Sequence, residues 1–309
     1  MKIVLAGGGG FLGRALAARL SADSHAVVVL SRAVSSPPGP EQTTHPAPAR
    51  VAWVPDGSVG PWAAELEGAD AVVNLAGEPV ADHRWTASVK ARIHDSRLLA
   101  ARSLTAAART AARPPLILVA ASAVGCYGSR GDDLLTEDDP PGADFLSGVC
   151  AASERESLQA APRVQRIVIL RSGIVLSADG GALARMITPF KLYAGGPLGT
   201  GRQFVSWIHR EDWLRLVLWV LATEQVTGPV NATAPNPVTN AEFARALGRA
   251  LHKPSGMPIP PVALRLALGE LADAMLLASQ RALPAKATSL GFTFTFPELG
   301  AALTDVLAR

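Results

Sequence analysis

Lys2-Ile3-Val4-Leu5-Ala6-Gly7-Gly8-Gly9-Gly10-Phe11-Leu12-Gly13-Arg14 is the stretch that decides the fold. An apolar run leads into four consecutive glycines, and an Ala/Leu-rich segment of helical character follows. Gly7, Gly10 and Gly13 stand three apart, in a strand–turn–helix setting. At such a helix start, free backbone N–H groups and the helix dipole favour a phosphate. Gly7 is expected to make the tight turn, Gly10 to admit a pyrophosphate and Gly13 to let the helix lie close. Gly9, Phe11 and Leu12 complete the expected cofactor-facing set. A branched side chain at Gly10 is expected to fail twice, against the ligand and against the backbone conformation. The alternative is a purely structural glycine turn.

The next strand-like run is His25-Ala26-Val27-Val28-Val29-Leu30-Ser31-Arg32. It ends about twenty residues beyond the glycines, where a ribose-reading residue belongs. An acidic residue there accepts from a ribose 2′-OH. Ser31 and Arg32 instead suit a 2′-phosphate, because guanidinium offers a permanently charged fork. NADP is therefore expected over NAD, the alternative being a solvated strand-end arginine.

The chain has 309 residues, enough for a large core. Its net charge is +3 and only 18% of residues are charged, with basic residues dispersed. A nucleic-acid-binding stripe is not indicated. The longest apolar stretch, around Leu214 to Ala222, is too short and interrupted to span a bilayer. No signal peptide is recognised, and two cysteines make no disulfide framework, so a cytoplasmic setting is expected. The six histidines and two cysteines show no metal-ligand spacing, so no metal site is expected.

Strand-like runs fall at 2–6, 26–31, 50–54, 70–75, 115–121 and 165–171, and helical patterns near 11–21, 84–112 and 145–160. The alternation predicts a Rossmann-type α/β fold, a doubly wound parallel sheet with helices on both faces. Residues 37–48 read as a Pro/Ser/Thr-rich loop. Further helices are expected near 183–192, 210–222, 240–251 and 261–278. The expected division is a nucleotide-binding unit over 1–175, with 206–233 returning to the sheet. A smaller C-terminal substrate lobe takes 176–205 and 234–309.

Several phrases carry a resemblance: Asn74-Leu75-Ala76-Gly77-Glu78-Pro79, Arg84-Trp85-Thr86, Gly195-Gly196-Pro197-Leu198-Gly199-Thr200-Gly201-Arg202-Gln203, Trp207-Ile208-His209 and Thr239-Asn240-Ala241-Glu242-Phe243. With the glycine turn they make the chain similar to the extended short-chain dehydrogenase/reductases. Within them it resembles the epimerase subgroup of the YfcH and SDR39U1 type, with a DUF1731-type C-terminus. The resemblance spans essentially the whole chain. It implies that Leu75, Ala76 and Gly77 pass beside the cofactor ribose and pyrophosphate. It also implies Asp56 near the adenine, Arg97 facing the cofactor from a helix, and Val175 meeting the nicotinamide end through its backbone. Arg202 and Gln203 match the stretch that holds the nucleotide phosphate of a substrate. Leu75 and Ala76 as core residues, and Arg97 as a helix-surface charge, are the plainer alternatives.

The resemblance also implies a Ser, a Tyr and a Lys four residues after the Tyr, with the Lys lowering the Tyr pKa. Ser122 ends a strand-like run and fits the first place. Cys150 stands in the Tyr place and Glu154 in the Lys place. Neither Tyr127 nor Tyr193 has a Lys at the fourth position after it. Ser122, which would also touch the cofactor, Cys150 and Tyr127 are the catalytic candidates. Cys150 as inert packing and Tyr127 as a lining or packing residue are the alternatives. His209 is expected to cap a helix rather than act as a base, and Asp212 to favour that helix N-terminus. His83 and Arg84 are weak site candidates in a loop. The expected activity is that of an NADP(H)-binding, epimerase-like oxidoreductase acting on a small molecule of nucleotide-sugar-like chemistry. The alternative is a non-catalytic NADP-binding regulator or a cell-division-associated interaction protein on the same fold.

Overall fold

Ile3, Val4, Leu5 and Ala6 are all fully buried, so the first strand is covered on both faces. Such a strand belongs in the middle of a parallel sheet sandwiched by helices. The computed structural model, which describes residues 1–32 and 47–308, puts it there. Seven strands form the central sheet: β1 (Lys2–Ala6), β2 (Ala26–Ser31), β3 (Ala49–Ala52), β4 (Ala71–Asn74), β5 (Ile117–Ala123), β6 (Arg166–Ser172) and β7 (Gly228–Ala232). Their order is β7-β6-β5-β4-β1-β2-β3, and every neighbouring pair is parallel. The chain winds outward from β1 to β3, then crosses to β4 on the other side of β1. The crevice at the carboxyl ends of β1 and β4 is thus the topological switch point, where open α/β sheets bind ligands.

The helices are α1 (Phe11–Ala22), α2 (Ala87–Thr110), α3 (Phe145–Leu158), α4 (Gly181–Lys191), α5 (Arg210–Ala222) and α6 (Asn240–Ala250), then α7 (Pro261–Leu268), α8 (Ala285–Ser289) and α9 (Leu299–Ala308). Alternation along β1 divides the core. Ile3 and Leu5 face α1 and α5, packing with Leu16, Leu20, Leu216 and Val217. Val4 and Ala6 face α2, packing with Ala100, Leu104 and Ala107. A third cluster joins α4, α6 and α9 through Leu183, Phe190, Phe243, Leu303 and Val306. Beside it, residues 174–176 pair in parallel with residues 207–209.

The helix expected over 261–278 is interrupted. It stops at Gly269, whose φ of +65° favours glycine, and one π-helical turn follows at Ala272–Leu276. Helices α8 and α9 lie outside the sequence expectation altogether. Residues 37–46 of the expected loop lie outside the described residues.

Candidate functional site

The glycine turn is built by close approach. Gly7 has φ +79°, and a Cβ on it would lie 2.7 Å from the carbonyl carbon of Leu75 and from the Ala76 nitrogen. A Cβ on Gly13 would come within 2.3 Å of the Gly7 oxygen, so α1 packs onto the turn itself. Gly10 differs from expectation. Its φ of −75° and ψ of 176° are ordinary extended backbone, and a Cβ there would meet only the Gly7 oxygen, at 3.4 Å. Contrary to the expectation for this position, Gly10 adopts a backbone conformation open to any residue. Gly10 caps α1 without a side-chain hydrogen bond, and no acidic residue stands in the first turn. The positive end of the helix dipole is left uncompensated. Gly9 has open space where a Cβ would stand. Phe11 and Leu12 pack against the sheet core, with the Phe11 ring against Gly180 and Gly181.

A cleft of about 450 Å³ opens over this turn. Gly7, Gly9 and Gly10 form its floor, and Ser31, Arg32, Arg50, Trp53 and Pro55 one end. Leu75, Ala76, Gly77, Glu78 and Pro79, with Ser96, form the opposite wall. The glycines, Ser31, Arg32 and Leu75-Ala76-Gly77 thus come together as the sequence suggested. Arg50 and Trp53 were missed. The available signal was the run at the end of β3, which must lie beside the end of β2 in a parallel sheet. Asp56, expected near the adenine, is not among the cleft-lining residues. Its carboxylate accepts from the Ser58 nitrogen at 2.9 Å and the Ser58 hydroxyl at 2.6 Å, bonds that hold its pKa low, and Pro55 lines the cleft in its place.

Arg97 is half-buried beneath the far wall. Its Nη1 donates to the Glu78 carbonyl at 2.9 Å and the Ile93 carbonyl at 3.1 Å. A Cβ on Gly77 would lie 3.0 Å from the guanidinium carbon, so Gly77 and Arg97 fix each other. Burial lowers the Arg97 pKa, opposed by Cys150 and Glu78. Val175 is buried, paired in register with Ile208, and is not among the cleft-lining residues.

The three family positions meet at the heads of β5 and α3. Asp144 caps α3, accepting from the Ser147 nitrogen at 2.8 Å. Cys150 and Glu154, one helical turn apart, share a face. Ser122 Oγ donates to Glu154 Oε1 at 2.5 Å. Strand pairing sets Arg171 directly beside Ser122. Arg171 Nε donates to Glu154 Oε1 at 3.1 Å and Nη2 to Oε2 at 2.8 Å, a bidentate pair with side chains 6% and 11% exposed. Glu154 is therefore not a bare carboxylate in a lysine's place. It is held by a cation from the neighbouring strand, which sequence reasoning missed. A buried carboxylate on a sheet-facing helix calls for such a partner.

Burial pushes the Cys150 thiol up, with Ser122, the Ala123 backbone and Arg97 opposing and Glu154 reinforcing. Tyr127 takes the packing alternative and not the catalytic one. It is fully buried, donates to Asn231 Oδ1 at 2.7 Å and accepts from Arg171 Nη1 at 3.1 Å. Burial pushes its pKa up to about 12. It is a strut of the arginine network.

His209 caps α5 as expected, its Nδ1 accepting from the Glu211 nitrogen at 3.1 Å, and its Nε2 lies 3.1 Å from Asp305. Asp212 does more than complement the helix. Fully buried, it accepts from the nitrogens of Thr295 and Phe296, both at 2.8 Å. Gln203 is buried, and its amide donates to the carbonyls of Leu198 at 3.0 Å and Leu276 at 2.9 Å, which engages that amide in tying loops. Arg202 is exposed. His83 is exposed, and Arg84 reaches the Leu266 carbonyl on α7 at 3.4 Å. Among the described residues no cluster of three or more His, Cys, Asp or Glu could hold a metal, and no helix is long and apolar enough to cross a membrane.

Comparison with known proteins places these features in a family. A family model for the NAD-dependent epimerase/dehydratase family matches residues 3–232, and one for a domain of unknown function, DUF1731, matches residues 259–306. An epimerase family protein of Mycobacterium bovis is 40% identical over 308 residues, covering 99% of this chain and 98% of that protein. The crystal structure of human epimerase family protein SDR39U1 (isoform 2) with NADPH superposes with a TM-score of 0.88 at 34% identity, covering 100% of both chains. A nucleoside-diphosphate sugar epimerase structure from Corynebacterium glutamicum gives a TM-score of 0.79 at 32% identity, over 99% of this chain and 58% of that one.

Proposed function

The chain belongs to the NAD-dependent epimerase/dehydratase family, and from that premise we propose that it is an NADP(H)-binding, epimerase-like oxidoreductase. The substrate we propose is a small, reactive carbonyl compound rather than an ordinary nucleotide sugar. One observation carries the reading. A positive-φ glycine turn, an uncapped helix start and the Ser31–Arg32 pair border a single cleft.

These residues fit the cofactor. The turn and the first turn of α1 (Gly7, Gly9, Gly10, Phe11, Leu12 and Gly13) offer backbone N–H groups to a pyrophosphate. Ser31 and Arg32 suit a 2′-phosphate. Leu75-Ala76-Gly77, backed by Arg97, would flank the ribose, and the Val175 backbone would face the nicotinamide end. The bound cofactor of the human relative is NADPH, which supports the preference.

NADPH, when bound, supplies a hydride. The chain contributes orientation and two protic groups, the Ser122 hydroxyl and the Cys150 thiol. Glu154 accepts from Ser122, leaving the serine oxygen lone pairs free to accept from a substrate hydroxyl. Burial keeps Cys150 a thiol, so it can donate a proton but is a poor base near neutrality. Among the described residues the cations near Cys150 do not play the lysine's part: Arg171 is committed to Glu154, and the opposing charge of Arg97 is outweighed by burial. Proton transfer is therefore slow for ordinary alcohols, which restricts turnover to reactive carbonyls. The same pairing is the observation that favours a second reading, a non-catalytic NADP-binding regulator. Exposed Arg202 is the proposed contact for a substrate anion, while Gln203 holds the loop behind it.

Titration with NADPH and NADH, by fluorescence or calorimetry, tests the cofactor reading. Wild-type protein is expected to bind NADPH at least about ten-fold tighter, as one charge-assisted contact provides. Equal affinities would overturn it.

A further inference from the structure

The 2′-phosphate end of the cleft holds a second arginine. Arg50 lies on β3, the edge strand, in register with Val29 of β2. Successive strand residues alternate between faces. Val51 and Trp53 pack into the layer beside α2, so Arg50 projects from the opposite face, which carries Val29 and the glycine turn. From there its long side chain reaches the strand ends and joins Arg32 in lining the cleft.

Among the described residues that line this end, the charge has one sign. Arg32 and Arg50 are both exposed, and neither takes part in an ion pair among the described residues. The acid nearest Arg50 in sequence, Asp56, is turned to Ser58. Glu78, the one carboxylate lining the cleft among the described residues, belongs to the opposite wall, 3.7 Å from Arg92. A second, independent feature points to a ligand. Trp53 lines the same end, is 3% exposed, and its indole Nε1–H is buried with no acceptor among the described residues. Buried donors are seldom left so.

Resting on the cofactor reading above, we propose that Arg50 is a specificity-determining residue. It forms with Arg32 a two-guanidinium clamp for the 2′-phosphate, carried on adjacent strands, with Trp53 closing the adenosine side. A phosphate monoester carries close to two negative charges near neutrality, its second pKa being about 6. Two facing guanidiniums match that dianion better than one.

The test titrates wild-type protein, Arg50→Gln, Arg50→Lys and Arg32→Gln with NADPH and NADH, and displaces NADPH with 2′,5′-ADP or 5′-AMP. Arg50→Gln should weaken NADPH binding about ten-fold and leave NADH within about two-fold, with Arg50→Lys falling between. 2′,5′-ADP should displace NADPH far better than 5′-AMP from wild type, and lose most of that advantage in Arg50→Gln. If Arg32→Gln loses the preference while Arg50→Gln keeps it whole, the clamp is wrong and the NADP reading stands. If wild type has no preference, both fall.

Discussion

Replacing Arg171 with methionine isolates the energetic role of the buried network. The change removes the two hydrogen bonds to Glu154, at 3.1 and 2.8 Å, and the one to the Tyr127 hydroxyl at 3.1 Å. What remains is a carboxylate whose side chain is only 11% exposed, left to neutral donors such as the Ser122 hydroxyl. Water cannot replace the cation at that depth, so the screening that makes surface pairs nearly neutral does not apply. Breaking a buried pair from one side costs about 3–5 kcal/mol. Urea unfolding followed by tryptophan fluorescence should register a loss of that size. Replacing both partners, Arg171→Met with Glu154→Leu, removes the stranded charge and should restore most of the loss. The double-mutant cycle should return a coupling of about 2–3 kcal/mol. A single-mutant loss under about 1 kcal/mol, with no coupling, would mean that the pair behaves like an exposed one and that the account of Glu154 is wrong.

Gly13→Ala, with its Cβ 2.3 Å from the Gly7 oxygen, should cost about 1–3 kcal/mol in a denaturation experiment and abolish NADPH binding. Gly10→Ala should stay within about 1 kcal/mol of wild type yet weaken NADPH at least about ten-fold in titration; undiminished affinity would place the phosphates elsewhere. Cys126 and Tyr127 are both pushed up to about 12 by burial, from ordinary values of 9.0 and 10.0. The folded state therefore holds protons that the unfolded state releases. Stability is fully present below pH 9 and falls between about 9 and 12, by up to about 1.4 kcal/mol per pH unit for each group. Cys126→Ala with Tyr127→Phe should flatten that decline in pH-dependent melts. Cys150 should react with iodoacetamide slowly until the pH climbs past its ordinary value of 9.0, as peptide mass spectrometry can follow; rapid labelling at neutral pH would show a thiolate.

What could be read in the sequence was whatever depends on neighbours along the chain. β1 and the glycine turn are local objects, since a short apolar run and a glycine at positive φ declare themselves. The span of α5 likewise follows from its apolar spacing and its His209 cap. The paired functional groups are not local. Arg171 and Glu154 are 17 residues apart, and only the register of β5 against β6 brings the arginine beside Ser122. Arg50 enters the cleft for the same reason, through the register of β3 against β2. Tyr127 shows the reverse error: a polar residue close in sequence to a site was drawn away by Asn231, which lies on a distant strand. Gly10 shows that a glycine required by a motif need not be required by its own backbone. The break at Gly269 was visible as a glycine, but its positive φ, which ends α7, was not.

The grip of Asp212 on Thr295 and Phe296 bears on how the molecule is made. Phe292 belongs to the core beneath the nucleotide cleft, and Leu299, Ala302, Leu303 and Val306 complete the cluster shared by α4 and α6. Residues 292–306 are therefore an interior part, although they lie far along the chain from the sheet they support. Until they are made, Asp212 is a carboxylate without its two backbone donors, and the apolar faces of α4 and α6 stand uncovered. Synthesis runs at about 5–20 residues per second, far slower than the formation of local helices. The glycine turn and its sheet can thus assemble early, but they wait on residues 292–306 for completion. A chain cut before residue 292 has the cofactor motif written in full and no closed core to support it.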